Sequence, residues 1–306
     1  MKSKILSTLS TSDRIVSGEV LSKQLGVSRV AVWKHIRQLQ AAGYAIEATA
    51  KGYRLLESRD TPYPWNFGDF AEKVHYYPRV TSTMARAMAL ARGGCEDFSV
   101  VVADVQTQGR GRLQRRWQSD AGGLYFTIVL RPEIPPAVAP LLNLAAAVDL
   151  AGVLKQSYGI SAQLKWPNDV LVNGGKIAGI LSLMEAESDR VNFIALGIGI
   201  NINYSPVHLD QPVTSLNRII GRRTSRSDFL KAFLELFHQR LGQSFPAHVI
   251  TEWKQLTSTL GQSVTIQTTT ASYEGIAMDI EPSGALVLKT AEGDLRSVVF
   301  GDCFYN

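Results

Sequence analysis

Between Gln106 and Trp117 the chain reads QTQGRGRLQRRW, with Arg110, Arg112, Arg115 and Arg116 inside seven positions. Guanidinium groups are planar, permanently charged forks that match phosphate and carboxylate oxygens. Gly109 and Gly111 let the backbone approach a ligand closely. Such a loop suits the phosphates of a nucleotide, and its four like charges predict order only once an anion arrives. Two further groups have the same character. Lys176 follows Gly174-Gly175, where an ammonium leaving a tight turn can reach a phosphate and a neighbouring anion, and Asn168-Asp169 adds an amide and a carboxylate. The plain alternatives are a solvated basic loop, a surface lysine and a pair of turn formers.

The surrounding elements place these groups at strand ends. Ser82-Thr83-Met84 opens a helical stretch to Arg92, and an apolar strand at 99–103 leads into the arginine loop. A strand at 124–130, a largely apolar helix at 137–158 and a strand at 163–166 follow, then a hairpin of 170–173 and 176–183 turning at Gly174-Gly175. This predicts a mixed α/β domain. GIGIN at 197–201 lacks the third glycine of a dinucleotide fingerprint and lies in a strand pattern, so it reads as close packing near a ligand. Residues 227–245 read as a core helix, and 262–306 as short strands of a small β-barrel. There is no G-x-S-x-G elbow, no G-x-x-x-x-G-K-[ST] loop and no histidine pair at zinc spacing.

The chain has 306 residues, 32 Lys+Arg against 27 Asp+Glu and 45% hydrophobic residues, which excludes disordered, collagen-like and disulfide-scaffold classes. The charge is uneven. Residues 1–59 hold ten basic and four acidic side chains, a net of +6, while the remainder holds 22 and 23. The basic surplus therefore sits in one segment, the mark of a polyanion partner. In it, SGEVLSKQLGVSRVAVWKHIRQLQAAG predicts two short helices about a glycine turn. Ser28 caps the second, and a hairpin with Lys51 at its tip completes a winged helix. A helix at 28–40 in a DNA major groove would place Ser28, Arg29, Trp33, Lys34 and Arg37 against the duplex, with Lys51 at the wing. A solvated basic face is the alternative. Cys95 and Cys303 match no metal spacing and read as reduced thiols of a cytoplasmic protein. The most apolar stretch, 141–154, is broken by Asn143 and Asp149, so no membrane span is expected.

Taken together, Ser82-Thr83, Gln106 with GRGR at 109–112, Trp117, KWPND at 165–169, GGKIAGIL at 174–181 and GIGIN at 197–201 resemble the bifunctional biotin protein ligases that also act as biotin operon repressors. The resemblance covers essentially the whole chain. It implies an α+β, multidomain architecture: an N-terminal winged helix-turn-helix over 1–59, a central mixed α/β ligase domain over 69–258, and a C-terminal small SH3-like β-barrel over 259–306; between the first two, Pro62, Pro64 and Gly68 make 60–68 read as a linker. It implies that ATP, Mg²⁺ and biotin give biotinyl-5′-adenylate, and that the biotinyl group passes to a lysine of a biotin carboxyl carrier domain. It also implies an adenylate-bound homodimer on operator DNA, with no membrane partner.

By the same resemblance Ser82, Thr83, Met84, Gln106, Arg110 and Gly111 line the biotin and adenylate site. So do Arg112, Trp117, Lys165, Asn168, Lys176 and Asn201. The chemistry of the two steps makes Lys176, Arg110 and Arg112 the catalytic cations, Asp169 the group that positions or deprotonates the acceptor lysine, and Asn168 and Asp169 the candidate Mg²⁺ ligands. Two departures stand out. Met84 replaces a common asparagine and removes a polar contact to biotin, and Leu113-Gln114 replaces a glycine-containing pair, altering loop flexibility. A biotin-sensing transcription factor without catalysis is the competing function. A lipoate ligase of related fold fits the arginine loop and winged helix less well.

Overall fold

The computed structural model describes residues 1–12, 14–57, 60–207, 211–243 and 245–306. Two compact units divide the chain, Met1–Glu72 and Lys73–Asn306.

The first unit contains α1 (Lys2–Ser10), α2 (Gly18–Leu25), α3 (Arg29–Ala41) and a hairpin of β1 (Ala45–Thr49) and β2 (Gly52–Glu57). Capping chemistry fixes the two central helices. The Ser17 hydroxyl accepts the Val20 N–H and the Ser28 hydroxyl accepts the Ala31 N–H, both at 3.2 Å. Gly26, at φ +66, closes α2 in a left-handed conformation that side chains disfavour. Leu21, Val32, Ile36 and Leu39 then face one core with Tyr44 and Ile46. The unanticipated α1 adds Ile5 and Leu9 to it, one helical turn apart. Val16 and Tyr53 exchange two backbone hydrogen bonds of 2.9 Å, tying the wing to the start of α2. A Cβ at Gly52 would lie 2.2 Å from the Val16 carbonyl oxygen, so this approach requires glycine.

Residues 60–68, expected to be a linker, belong to this unit instead. They carry the 3₁₀ turn Pro64–Asn66 and lead into a second, Gly68–Phe70, and Tyr63 and Trp65 pack on the core. The Trp65 indole donates to the Tyr44 hydroxyl at 3.2 Å, and the Lys2 ammonium lies 4.2 Å from its ring centre. Proline and glycine supplied the turns, but aromatic burial decided where the segment rests. The expected boundary at Arg59 lies outside the described residues.

The second unit contains β3 (Val74–Val80), α4 (Thr83–Arg92), β4 (Ser99–Gln106), β5 (Leu124–Leu130), α5 (Leu141–Tyr158), β6 (Gln163–Lys165), β7 (Asp169–Val172), β8 (Gly175–Ala186) and β9 (Val191–Ile200). After these come α6 (Leu216–Ile220), α7 (Arg226–Gln243), α8 (Val249–Leu256), β10 (Ser263–Gln267), β11 (Ser272–Ile280), β12 (Leu286–Lys289), β13 (Leu295–Val298) and β14 (Asp302–Tyr305). Seven strands form one sheet in the order β3-β4-β5-β9-β8-β7-β6, and the β3–β4 pair is parallel while the other five are antiparallel. All of β5 is buried, as expected of a central strand covered on both faces. In the β7–β8 hairpin Val172 pairs with Gly175, so the turn residues are Asn173 (φ +50) and Gly174 (φ +75) rather than Gly174-Gly175. Two left-handed residues match the right-handed twist of the strands they join.

The apolar 136–158 stretch is long enough to cross a membrane, yet 72% of its apolar window is buried in this unit. It is a core helix. Asp149, which interrupts it, is 1% exposed and paired with Arg240 of α7 at 2.7 Å.

The C-terminal strands form a five-stranded antiparallel sheet in the order β13-β12-β11-β10-β14 around Val264, Ile266, Leu286 and Leu288. Among the described residues no β13–β14 pairing closes it into the expected SH3-like barrel. Trp166 links this sheet to the larger one: its indole donates to the Gly284 carbonyl at 3.1 Å, and its backbone N–H to the Thr259 hydroxyl at 2.9 Å.

Candidate active site and nucleic-acid surface

A cavity of about 550 Å³ opens where the loop after β4, the β6–β7 turn, the start of β8, the end of β9 and β14 converge. One end is buried and polar. Gln106, the last residue of β4, accepts the Thr83 N–H at 2.8 Å and the Thr83 hydroxyl at 3.0 Å through Oε1. Its Nε2 donates to the Ser119 hydroxyl at 2.9 Å, which donates to the Trp117 carbonyl at 3.0 Å. Thr127 on β5, fully buried, donates to the Thr83 hydroxyl at 2.9 Å. Gln106 therefore holds the start of α4 and the arginine loop in fixed relation. Ser82 lies beside them, 3% exposed.

The floor is paved with glycine. Gly179 of β8 pairs with Gly199 of β9. A Cβ at Gly199 would come within 2.4 Å of Trp117 Nε1, and one at Gly197 within 2.7 Å of Met84 Cε. The missing side chains let the Trp117 ring lie against the sheet and Met84 close the polar end. Among the described residues, five buried polar atoms at the cavity lack a hydrogen-bond partner; Arg112 Nε, Asp169 Oδ1 and Asp302 Oδ2 are held in ion pairs, whereas Trp117 Nε1 and Asn201 Oδ1 have neither, although Asn201 Nδ2 donates to the Thr214 carbonyl at 3.0 Å. Buried polar groups left unpaired in a concave site mark where a ligand supplies the partner.

Charge gathers at the other end. Lys176 Nζ lies 2.7 Å from Asp169 Oδ1, both side chains about 15% exposed or less, and 5.4 Å from the Trp117 ring centre. Arg112 donates to the Gly301 carbonyl at 3.0 Å and lies 3.4 Å from Asp302, whose other oxygen is 2.7 Å from Arg115. Burial pulls the Arg112 guanidinium below its ordinary value, while Asp302 and Asp169 act against that shift; a guanidinium stays charged regardless.

The loop is folded here. Gly111 donates to the Arg115 carbonyl at 2.7 Å and Trp117 to the Gly109 carbonyl at 2.9 Å. Asp302 supplies the countercharge that the loop's own sequence lacks. Leu113 takes φ +47, a left-handed backbone in which a glycine would sit without strain.

The other expected site residues lie on the same cavity in different roles. Arg110 lines it with an exposed side chain. Lys165 rests 4.3 Å from the Tyr305 ring centre. Asn168 Nδ2 donates to the Ile180 carbonyl at 2.7 Å, which makes it a brace for β8. Sequence reasoning missed Thr127, Ser119 and Asp302. A threonine inside the otherwise apolar and aromatic LYFTIVL was a usable signal; Asp302 had none, because its partners lie far off in sequence. Cys303 lines the cavity, but burial pushes its thiol up to about 11, so it is no nucleophile at neutral pH.

In the first unit, Arg29, Trp33, Lys34 and Arg37 are all exposed on α3, and Lys51 is exposed at the wing tip. Ser28 is their positioning cap. Arg54 is paired with Glu47 across the hairpin at 2.9 Å.

Comparison with known proteins gives these features a common setting. Residues 2–54 match an HTH domain, 76–201 the biotin/lipoate A/B protein ligase family, and 259–305 the biotin protein ligase C-terminal domain. The bifunctional ligase/repressor BirA of Bacillus subtilis is 36% identical over 297 residues, covering 92% of this chain and 91% of that protein. A biotin–[acetyl-CoA-carboxylase] ligase of Paracoccus denitrificans is 35% identical over 225 residues, covering 70% of this chain and 93% of its own. A solved biotin protein ligase from Aquifex aeolicus, in complex with biotin and ATP, superposes with a TM-score of 0.64 at 28% identity, over 76% of this chain and 98% of that one. With the three regions in this order and the likeness running nearly end to end, the chain belongs to the family of bifunctional biotin ligase/repressors.

Proposed function

We propose that the cavity of the second unit binds biotin and ATP, joins them as biotinyl-5′-AMP, and passes the biotinyl group to a lysine of a carboxylase's biotin carboxyl carrier domain. The observation that carries this reading is the polarity of the cavity. The ring end of biotin suits the buried hydroxyl and amide cluster of Ser82, Thr83, Gln106 and Thr127, and its carboxylate suits the opposite end, at Lys176 and Arg112.

The first step joins two anions. A carboxylate is already ionised at neutral pH, so no base is needed. Its oxygen bonds to the α-phosphorus of ATP while the bond to the leaving pyrophosphate breaks. Lys176, Arg110 and Arg112 lower the repulsion and stabilise charge on the crowded phosphorus. Trp117 covers the floor and excludes water. In the second step the carrier lysine, as a free amine, attacks the acyl carbon, AMP leaves, and the proton passes to solvent or to the Asp169 carboxylate beside Lys176.

The residues expected to hold Mg²⁺ do not form a resident metal cage. Asp169 is paired with Lys176, Asn168 braces Ile180, and no cluster of three acidic, histidine or cysteine groups occurs among the described residues. Magnesium is therefore taken as part of the substrate, carried on the ATP phosphates.

The test is direct: purified protein with Mg·ATP, radiolabelled biotin or lipoate, and a carrier domain. Labelled carrier with biotin alone is expected. Biotin retention without adenylate would leave a sensor, and lipoate transfer a different ligase.

The loop clasp has its own expected result. In Asp302→Ala, Arg112 and Arg115 lose their countercharge, so adenylate dissociation should rise about tenfold, the scale of one charged hydrogen bond. Pulse-chase with unlabelled biotin measures it; unchanged release would show that the clasp does not retain the product.

The first unit acts as the repressor module, binding operator DNA as an adenylate-bound homodimer in the cytoplasm, with no membrane partner. Arg29, Lys34, Arg37 and Lys51 give four exposed cations per chain. Eight phosphate contacts per dimer predict a slope of about −7 for log affinity against log salt concentration. Gel shifts at graded salt, with and without biotin and ATP, check both the slope and the co-repressor effect.

A further inference from the structure

The recognition helix α3 carries large apolar side chains where its charges point to water. Val30 is 63% exposed and Trp33 52% exposed. Neither belongs to the cluster built on Val32, Ile36 and Leu39, although that cluster gathers partly buried residues from across the unit. Val30, Lys34, Arg37 and Ala41 fall at i, i+4, i+7 and i+11, one ridge opposite the buried stripe. The helix holds no acidic residue. An apolar group set on such a ridge gains nothing from the fold and nothing from phosphate. It does fit a duplex groove, because thymine is the base that presents a methyl group in the major groove.

We propose that Val30 reads thymine in the operator through the 5-methyl group, and that Trp33 packs beside it on the adjoining sugar and phosphate. This rests on the DNA-binding reading of α3 and adds its sequence preference. Val30 is the second residue of the helix, directly after Arg29, and the N-terminal residues of a recognition helix are those that reach base edges. The occupant is duplex DNA because Arg29, Lys34 and Arg37 flank the apolar pair on the same exposed surface. A second copy of the chain would bring the same positive charges against them.

The experiment uses the full-length protein with biotin and ATP. A tight-binding duplex is first selected from a random pool, and each thymine in it is then replaced singly by deoxyuridine, which removes the methyl group alone. One position in each half-site is expected to lose affinity roughly fourfold, the equivalent of one buried methyl group. Val30→Ala should bind the parent duplex more weakly and show no further loss at that position. A Lys34→Ala control should weaken both duplexes equally and reduce the salt slope by about two, one contact in each half of the dimer. The proposal is overturned if no thymine responds, if Val30→Ala responds as the parent protein does, or if Val30→Ala acts by preventing dimerisation in sedimentation. If the pool yields no enriched sequence, the DNA reading beneath it fails instead.

Discussion

Lys176→Ala is expected to stop adenylate formation, with single-turnover release of pyrophosphate slowed about a thousandfold, the scale of removing one preorganised charge from a water-poor site. The ammonium stands 2.7 Å from Asp169 and beside the Trp117 ring, where two anionic substrates have to meet. Its loss also leaves the Asp169 carboxylate, 15% exposed, facing biotin and phosphate without a cation. That second effect can be separated. Lys176→Ala with Asp169→Ala removes the repulsion and should restore part of biotin affinity while leaving the chemical step slow. Lys176→Arg should recover little, because a planar fork cannot replace a compact ammonium against the same floor. Thermal unfolding of each variant distinguishes lost chemistry from lost fold. A single variant that forms adenylate within tenfold of the parent rate would remove Lys176 from the centre of the reaction.

What was legible in the sequence was local. Gly26 and Ser28 mark the ends of the helices they cap, and the β7–β8 hairpin is visible from its glycines, displaced by one residue because Asn173 also takes a left-handed backbone. The arginine loop and Lys176 were recognisable as anion-binding because their chemistry is carried by residue type. Long-range pairing was not recognisable. Nothing around Asp302 announces a partner some 190 positions earlier in the chain, yet it is ion-paired with both Arg112 and Arg115. Likewise Gln106 reads from the sequence as a ligand contact, while its hydrogen bonds to Thr83 and Ser119, which shape the buried end of the cavity, are visible only in the fold. The 60–68 segment was misread for the opposite reason: Pro62, Pro64 and Gly68 signalled a break, while the deciding residues were Tyr63 and Trp65, whose burial depends on a surface formed elsewhere.

Asp149 shows the same limit with the larger consequence for stability. In sequence it merely interrupts an apolar helix. In the fold, Arg240 Nε lies 2.9 Å from both of its oxygens, while Nη1 reaches Glu252 of α8 at 2.7 Å, joining α5, α7 and α8. Arg240→Ala should destabilise the second unit by about 3–5 kcal/mol, because it strands a carboxylate that is 1% exposed. Glu252, 39% exposed, can turn to water. Burial already pushes the Asp149 carboxyl above its ordinary range, with the Arg240 hydrogen bonds pulling it back. Without them the folded state favours the protonated acid still more. A carboxyl raised in the folded state contributes stability that is full below its unfolded value of about 3.9 and is lost as pH rises through the folded value. The deficit of the variant should therefore be greater at pH 8 than at pH 5.5, and Asp149→Asn with Arg240→Ala should abolish that difference. Asp149→Leu with Arg240→Met should recover most of the stability, since an apolar pair of similar volume needs no countercharge. Urea unfolding followed through the transition that also ends biotin binding measures all three; equal losses in the single and double variants would mean that packing around Arg240, and not the stranded charge, sets the cost.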